Sequence, residues 1–356
     1  MKKKTWFILC TFIAVLFFAC SNNLQISPQS STVPGINRSN IQKNTRGKQK
    51  QQVLSDTSSE TSLNNYSEVS AQRLFNHLEN LNFIRYTNPQ RNRAGQYITK
   101  ELQKFGWKPQ LENFSRGTNI FAERQGTDKD AKAILIGAHY DTVSNSPGAD
   151  DNATGVAVML ELARLLGKTQ TSRTLQLVFF DKEETGLEGS LAFTTKPEGL
   201  KNIAGAVIMD MVGYGCYTQG CQKYPEGFPS SFTKSNIGNF LAVVGDTEHL
   251  PLLNAFKSKT DIKNKLKTTP TITLPIPLKG VLTPDVLRSD HAPFWYQGVG
   301  AVLITDTANL RTPYYHRPND IPRNIDRQFF LGAAQAIANA TTDLLNSNTS
   351  LATPSS

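Results

Sequence analysis

Four short apolar runs, residues 133–138, 175–180, 204–209 and 300–304, have the length and composition of buried strands. Helical spacing lies between them, above all over residues 156–166. Strands alternating with helices imply parallel neighbours, because a parallel crossover must pass over one face of the sheet and cover it. The expected fold class is therefore α/β: a single globular domain with a mainly parallel, mixed central sheet flanked by helices on both faces. Ahead of the first strand, Val69, Leu74, Leu78 and Leu81 fall at roughly helical spacing, and residues 95–105 form a second amphipathic stretch that Gly106 ends. Residues 328–345 predict a closing helix, and no internal repeat is evident.

The chain opens with Lys2, Lys3 and Lys4, an apolar run from Trp6 to Phe18, and Ala19 before Cys20. This reads as an export signal over residues 1–20, with an end resembling the bacterial lipobox. Phe17 and Phe18 depart from that pattern, so an uncleaved apolar anchor stands beside a lipidated Cys20. Either form implies attachment to a membrane in the bacterial cell envelope. Ser21 after the Cys leans toward the outer-membrane side in a two-membrane cell. Residues 21–65, rich in Ser, Asn, Gln, Thr and Lys, are too polar to bury a core and read as a disordered tether. The folded domain is expected over 66–346, with a disordered tail at 347–356.

A formal net charge of +9 suggests an anionic partner until its distribution is considered. Residues 1–55 carry eight Lys or Arg and no acid, leaving 30 basic against 29 acidic residues in the remainder. A nearly neutral domain argues against nucleic acid as a partner, since phosphate neutralisation needs cationic side chains clustered on the folded surface. Only Cys216 and Cys221 belong to the domain, flanked by Gly215 and Gly220. In an oxidising compartment they suit a short disulfide; two free thiols or a soft metal pair are the alternatives.

Functional groups in open α/β sheets collect beyond the carboxyl ends of the strands. Here the first strand runs into His139 and Asp141, the next into Asp181, Glu183 and Glu184, and the next into Asp210. Gly148-Ala149-Asp150-Asp151-Asn152 opens the helix at 156–166, and His316 follows the last strand. Imidazole and carboxylate donors without thiolate suit Zn²⁺ in a site that keeps a position open for water. Two His and three or more carboxylates are enough for two metals that share one carboxylate, and such a pair activates water toward a polarised carbonyl. A neighbouring carboxylate outside the ligand set can carry the proton. Taken singly, His139 reads as a satisfied polar residue, Asp151 as a helix-start carboxylate and Glu183-Glu184 as a solvated pair; their joint place at strand exits is what carries the metal reading.

Five segments give a resemblance: Gly137-Ala138-His139-Tyr140-Asp141-Thr142-Val143; Pro147-Gly148-Ala149-Asp150-Asp151-Asn152-Ala153-Thr154-Gly155; Glu183-Glu184-Thr185-Gly186-Leu187-Glu188-Gly189-Ser190; Ser289-Asp290-His291; and Tyr315-His316. In this order they resemble the zinc aminopeptidases of metallopeptidase family twenty-eight, over roughly residues 67–345. The resemblance implies a phosphorylase/hydrolase-like fold, two zinc ions per chain and peptide substrates. It implies that His139 and Asp210 bind one zinc, that Glu184 and His316 bind the other, and that Asp151 bridges them. By the same resemblance Glu183 is the general base, Asp141 holds the distal nitrogen of His139, and Tyr315 either donates to the developing oxyanion or merely packs. Asp290 and His291 lie near the site in an unassigned role, whereas His77 and His249 match no motif. Residues 213–229, rich in Gly, Tyr and Pro, read either as a pocket rim or as a plain surface loop.

Glutaminyl cyclases share the expected fold but generally lack the runs found here after Asp151 and at Glu188-Gly189-Ser190. A carboxypeptidase or dipeptidase remains open, depending on whether Arg288 or Arg317 faces a substrate carboxylate. A non-catalytic binding ectodomain would lack the ligands, and every expected ligand type is present.

Overall fold

The computed structural model describes residues 67–225, 236–257 and 267–354, all within one compact unit, Ser62–Ser356. The expected export signal and tether lie outside the described residues. In chain order the elements are α1 (Ala71–Asn80), α2 (Asn88–Lys104), β1 (Gln110–Phe114), β2 (Gly117–Arg124), β3 (Ala133–His139), α3 (Gly155–Leu166), β4 (Leu175–Phe180) and α4 (Glu188–Thr194). They continue as α5 (Pro197–Lys201), β5 (Ile203–Met209), β6 (Leu241–Asp246), α6 (Leu250–Asn254), β7 (Thr271–Ile276), α7 (Ala292–Tyr296), β8 (Ala301–Thr305) and α8 (Arg327–Asn346). Among the described residues no helix is long and apolar enough to cross a membrane.

One eight-stranded sheet runs in the order β1-β2-β4-β3-β5-β8-β6-β7. Its centre, β4-β3-β5-β8, is parallel, so the carboxyl ends of these four strands open on one edge of the molecule. The antiparallel hairpin β1–β2 flanks β4, and β6, antiparallel to β8, brings in β7 on the other side. The α/β expectation holds, but the apolar runs predict four strands where eight are present among the described residues. β1 is polar and mostly exposed, and β7 carries Pro275 at the sheet edge, so neither shows a buried-strand pattern. β6 is apolar but runs against β8, outside the strand–helix alternation that served as the guide.

Every residue of β3 is buried, and its side chains divide between two cores. Ile134, Ile136 and Ala138 join α1, α2, α3 and α8 through Leu74, Ile98, Val156 and Phe330. Leu135 faces the other layer, where Phe193 of α4, Leu200 of α5 and Phe294 and Trp295 of α7 pack. Gly137 is required for this closeness, because a Cβ there would stand 2.7 Å from the Phe180 ring and 2.8 Å from Ile208. α2 begins seven residues before the predicted stretch, on a capping box formed by Thr87 and Gln90.

The described part of the chain end is fastened to the domain. Over the described part of 347–356, Arg173 donates to the carbonyls of Ser347 (2.6 Å) and Thr349 (2.8 Å), and Leu351 is buried in the larger core. A polar composition concealed one apolar anchor and a guanidinium waiting for carbonyl acceptors.

Candidate metal centre

His139 closes β3, Asp210 follows β5, and Glu183 and Glu184 lie in the turn after β4. Asp151 stands in the one-turn segment Ala149–Thr154, which Gly148 starts with a φ of +61°. A Cβ at Gly148 would meet the Asp151 carbonyl oxygen at 2.1 Å, so the turn that presents Asp151 admits only glycine. Asn152 fastens this segment to the end of β5: its Nδ2 donates to the Met209 carbonyl (2.8 Å), while its Oδ1 accepts from the N–H groups of Gly155 (3.1 Å) and Met211 (3.3 Å).

All five expected ligands converge. His139 Nε2 is 3.4 Å from Asp151 Oδ1 and 3.6 Å from Asp210 Oδ1. His316 Nε2 is 3.2 Å from Asp151 Oδ2 and 3.1 Å from Glu184 Oε2. Two donor triads, His139–Asp151–Asp210 and Asp151–Glu184–His316, thus share Asp151, one oxygen to each. The donor set fits a pair of cations. Neither ring nitrogen of buried His139 makes a hydrogen bond, nor does Glu184 Oε1. Donors each ~2.0–2.2 Å from a tetrahedral zinc stand roughly 3.3–3.6 Å apart, which is close to the spacing found.

The electrostatics point the same way. Burial opposes protonation of His139, yet Glu183, Asp141, Asp151 and Asp210 together hold its pKa well above the ordinary value. His316 is also opposed by burial but is raised to about 10 by Asp151 and Glu184. Burial pushes Glu184 up to about 7, with Asp151 adding to the rise, and it lifts Glu183 well above a normal carboxylate. Protonated imidazoles or a bound cation would relieve so many neighbouring carboxylates.

Asp141 organises the turn after β4 as well as the imidazole. Its two oxygens accept the backbone N–H groups of Glu183 (3.0 Å) and Glu184 (3.3 Å), and Oδ1 lies 3.4 Å from His139 Nδ1. Tyr315 stacks on His316, centroids 3.8 Å apart, and its hydroxyl accepts from Arg288 Nη2 at 3.1 Å. Asp290 is fully buried near the centre, pushed up to about 7 by burial. His291 turns edge-on to Trp295 in the core. Asp181, at the end of β4, is drawn away to Arg91 at 2.7 Å. His77 is buried against the Tyr97 hydroxyl (2.7 Å), and His249 pairs with Asp246 (2.8 Å), both away from the centre.

The centre opens on a cavity of about 580 Å³. Asp151, Glu183, Glu184, Asp210 and His316 line one end, and Phe240, Ala242, Val244, Ile272, Leu274 and Leu303 form an apolar wall. Of residues 213–229, Gln222, Tyr224 and Pro225 reach the cavity, so the described part of that loop is a rim. It is closed by a Cys216–Cys221 disulfide, which removes the free-thiol and soft-metal alternatives.

Sequence reasoning missed two supporting residues. Asp320 accepts the backbone N–H groups of Asp150 (2.8 Å) and Asp151 (3.0 Å). Arg85, fully buried, donates to the carbonyls of Leu81, Phe83, Tyr140, Pro147 and Gly148. Asp320 lies four residues after His316, a spacing that could have flagged it; Arg85 carries no local signal, because its partners meet it only in the fold.

The class that this fold and site define is a hydrolase of peptide bonds. The chain belongs to peptidase family M28, whose model matches residues 119–341. It is 34% identical over 239 residues to the uncharacterized protein YfbL of Escherichia coli (strain K12), covering 61% of this chain and 68% of that one. With a vacuolar membrane protease of Schizosaccharomyces japonicus (strain yFS275 / FY16936) it shares 33% identity over 135 residues, 38% of this chain but only 16% of that protein. Among solved structures it resembles the aminopeptidase from Aneurinibacillus sp. strain AM-1, with a TM-score of 0.60 and 16% identity over 81% of this chain and 97% of that one. It also resembles a glutaminyl cyclase of Bacteroides thetaiotaomicron bound to N-acetylhistamine, with a TM-score of 0.54 and 19% identity over 78% and 98% of the two chains. At these identities the two structures speak for the fold alone.

Proposed function

We propose that this chain is a zinc-dependent aminopeptidase that removes the first residue of peptides with a free amino terminus. The observation that carries the reading is the pair of donor triads sharing Asp151 at the head of a part-apolar cavity. His139 and Asp210 would hold one zinc, Glu184 and His316 the other, and Asp151 both. Bound there, the metal supplies a polarised substrate carbonyl and a water of lowered pKa.

Glu183 faces the cavity without belonging to either triad, and burial raises its pKa well above the usual range. A carboxylate of raised proton affinity is suited to take a proton from the attacking water and pass it to the departing nitrogen as the C–N bond breaks. Asp141 holds Glu183 in place through the backbone N–H it accepts. The acidic end of the cavity attracts the substrate ammonium, and the wall from Phe240 to Leu303 takes an apolar first side chain. Tyr315, stacked on His316, would donate to the developing oxyanion.

The fold is common to peptidases and a glutaminyl cyclase, so product identity separates the two readings. Metal content, and hydrolysis of amino-acid amides and N-blocked peptides, should be compared in the wild type and Glu183→Ala. About two zincs per chain, turnover of unblocked substrates only, free amino acids released, and loss of turnover with zinc retained in Glu183→Ala support the proposal. A pyroglutamate product would replace it with the cyclase, and absence of both metal and turnover with a binding ectodomain. The charged start and apolar run before Cys20 support an exported protein held at the cell envelope, testable by fractionation of wild type and Cys20→Ala.

A further inference from the structure

Among the described residues Arg288 is the one Lys or Arg lining the cavity, where the acidic residues are Asp151, Glu183, Glu184, Asp210 and Asp285. Its backbone is fixed, since Ser289 and Asp290 just after it are buried, but its side chain is exposed at the rim. Nη2 donates to the Tyr315 hydroxyl at 3.1 Å, and the guanidinium carbon lies 6.0 Å from that ring's centroid. Among the described residues the guanidinium forms no ion pair, so most of its five N–H donors are uncommitted. Arg317 is exposed and does not line the cavity.

A cation beside so many carboxylates would ordinarily be spent on one of them. Here it meets instead the hydroxyl of Tyr315, whose ring stacks on His316 of the centre. With the scissile carbonyl at that centre, the next residue of the substrate extends toward the rim, and one residue spans at most ~3.3–3.6 Å. In a dipeptide the group arriving there is a free carboxylate; in a longer peptide it is a neutral amide. Guanidinium and carboxylate pair through two parallel charge-assisted hydrogen bonds, whereas an amide offers one neutral acceptor.

We infer that Arg288 binds the terminal carboxylate of short substrates and makes dipeptides with an apolar first residue the preferred class. This rests on the aminopeptidase reading and adds to it a length preference set at the leaving-group side. The test compares leucyl-alanine, leucyl-alanine amide and leucine amide, with zinc supplied, in the wild type, Arg288→Ala and Arg288→Lys. The wild type should favour leucyl-alanine over its amide by roughly ten- to a hundredfold in kcat/KM, mostly through KM. Arg288→Ala should bring that ratio to about one, and Arg288→Lys should retain part of it because a point charge replaces the fork. The ratio isolates the carboxylate from any service Arg288 gives Tyr315, which would affect both substrates alike. A wild-type ratio near one, or an equal loss on both substrates in Arg288→Ala, overturns the inference. Leucine amide carries no carboxylate: its turnover alongside a ratio near one removes the Arg288 role and leaves the aminopeptidase standing, whereas no turnover of any of the three removes both.

Discussion

Asp320 Oδ2 accepts the backbone N–H of Asp151 at 3.0 Å. The residue shared by both triads is thereby held from the far end of the chain, four positions beyond His316. Removing such an outer carboxylate typically costs 10- to 100-fold in metal affinity. We expect Asp320→Ala to weaken zinc binding by that order, with Asp320→Asn intermediate because one acceptor oxygen survives. Titration against a competing chelator would decide the matter; unchanged affinity in Asp320→Ala would refute the link.

Arg85 clamps the same segment from below. Its guanidinium reaches the carbonyls of Pro147 (2.6 Å) and Gly148 (2.9 Å) on one side and of Tyr140 (2.7 Å) on the other, and burial lowers its pKa to about 10. Arg85→Met takes the donor from the Tyr140 and Pro147 carbonyls, leaving Gly148 only the N–H of Ala153, and should destabilise the domain by about 3 kcal/mol or more. Lys offers three donors from a single point, so Arg85→Lys should recover little. Urea unfolding of the three proteins would test this, and a stable Arg85→Met would contradict it.

His291 makes acid stability predictable in sign. Burial lowers its folded-state pKa to about 4, below the ordinary 6.5. Between those values the unfolded chain takes up a proton that the folded chain refuses, so this contribution is intact above pH 6.5 and is lost as pH falls toward 4. The loss can reach about 3 kcal/mol. His77, also lowered by burial, acts in the same sense, so the informative quantity is the difference between wild type and His291→Gln. The variant should show a shallower fall in unfolding free energy over that window, and parallel curves would rule the assignment out.

The Cys216–Cys221 disulfide stiffens the rim rather than the core. Just after it, Gln222 Oε1 accepts from Arg311 Nε at 2.7 Å, and its Nε2 donates to Thr307 Oγ1 at 2.9 Å, tying one cavity wall to another. Closing so short a loop is worth about 2 kcal/mol in the chain-entropy view. Replacing both cysteines by Ser should lower stability by no more than that and raise KM for apolar substrates while kcat holds. A fall in kcat with KM unchanged would place the effect at the catalytic groups instead.

The candidate centre was legible because imidazole and carboxylate donors are chemically rare in combination and because His139, Glu183, Glu184 and Asp210 lie at or just past the ends of strands whose apolar character can be read locally. His139, Asp141, Glu183, Glu184 and Asp210 all needed only their own neighbours to be noticed, and Asp151 needed only the glycine turn before it. Asp181 shows where local reading ends: it has the same position at a strand exit, yet Arg91 from α2 takes it out of the cluster.

What the sequence by itself determined was the α/β class and a set of candidate donors, since hydrophobic period and donor chemistry are properties of short segments. Only the tertiary structure decided that Arg85 and Asp320 hold the Asp151 segment, that β6 and β7 build an apolar wall beside it, and that Arg288 rather than Arg317 faces the cavity. Those facts depend on which distant segments meet. A buried guanidinium or a cavity wall exists only as a relation between residues that packing, and not spacing along the chain, brings together.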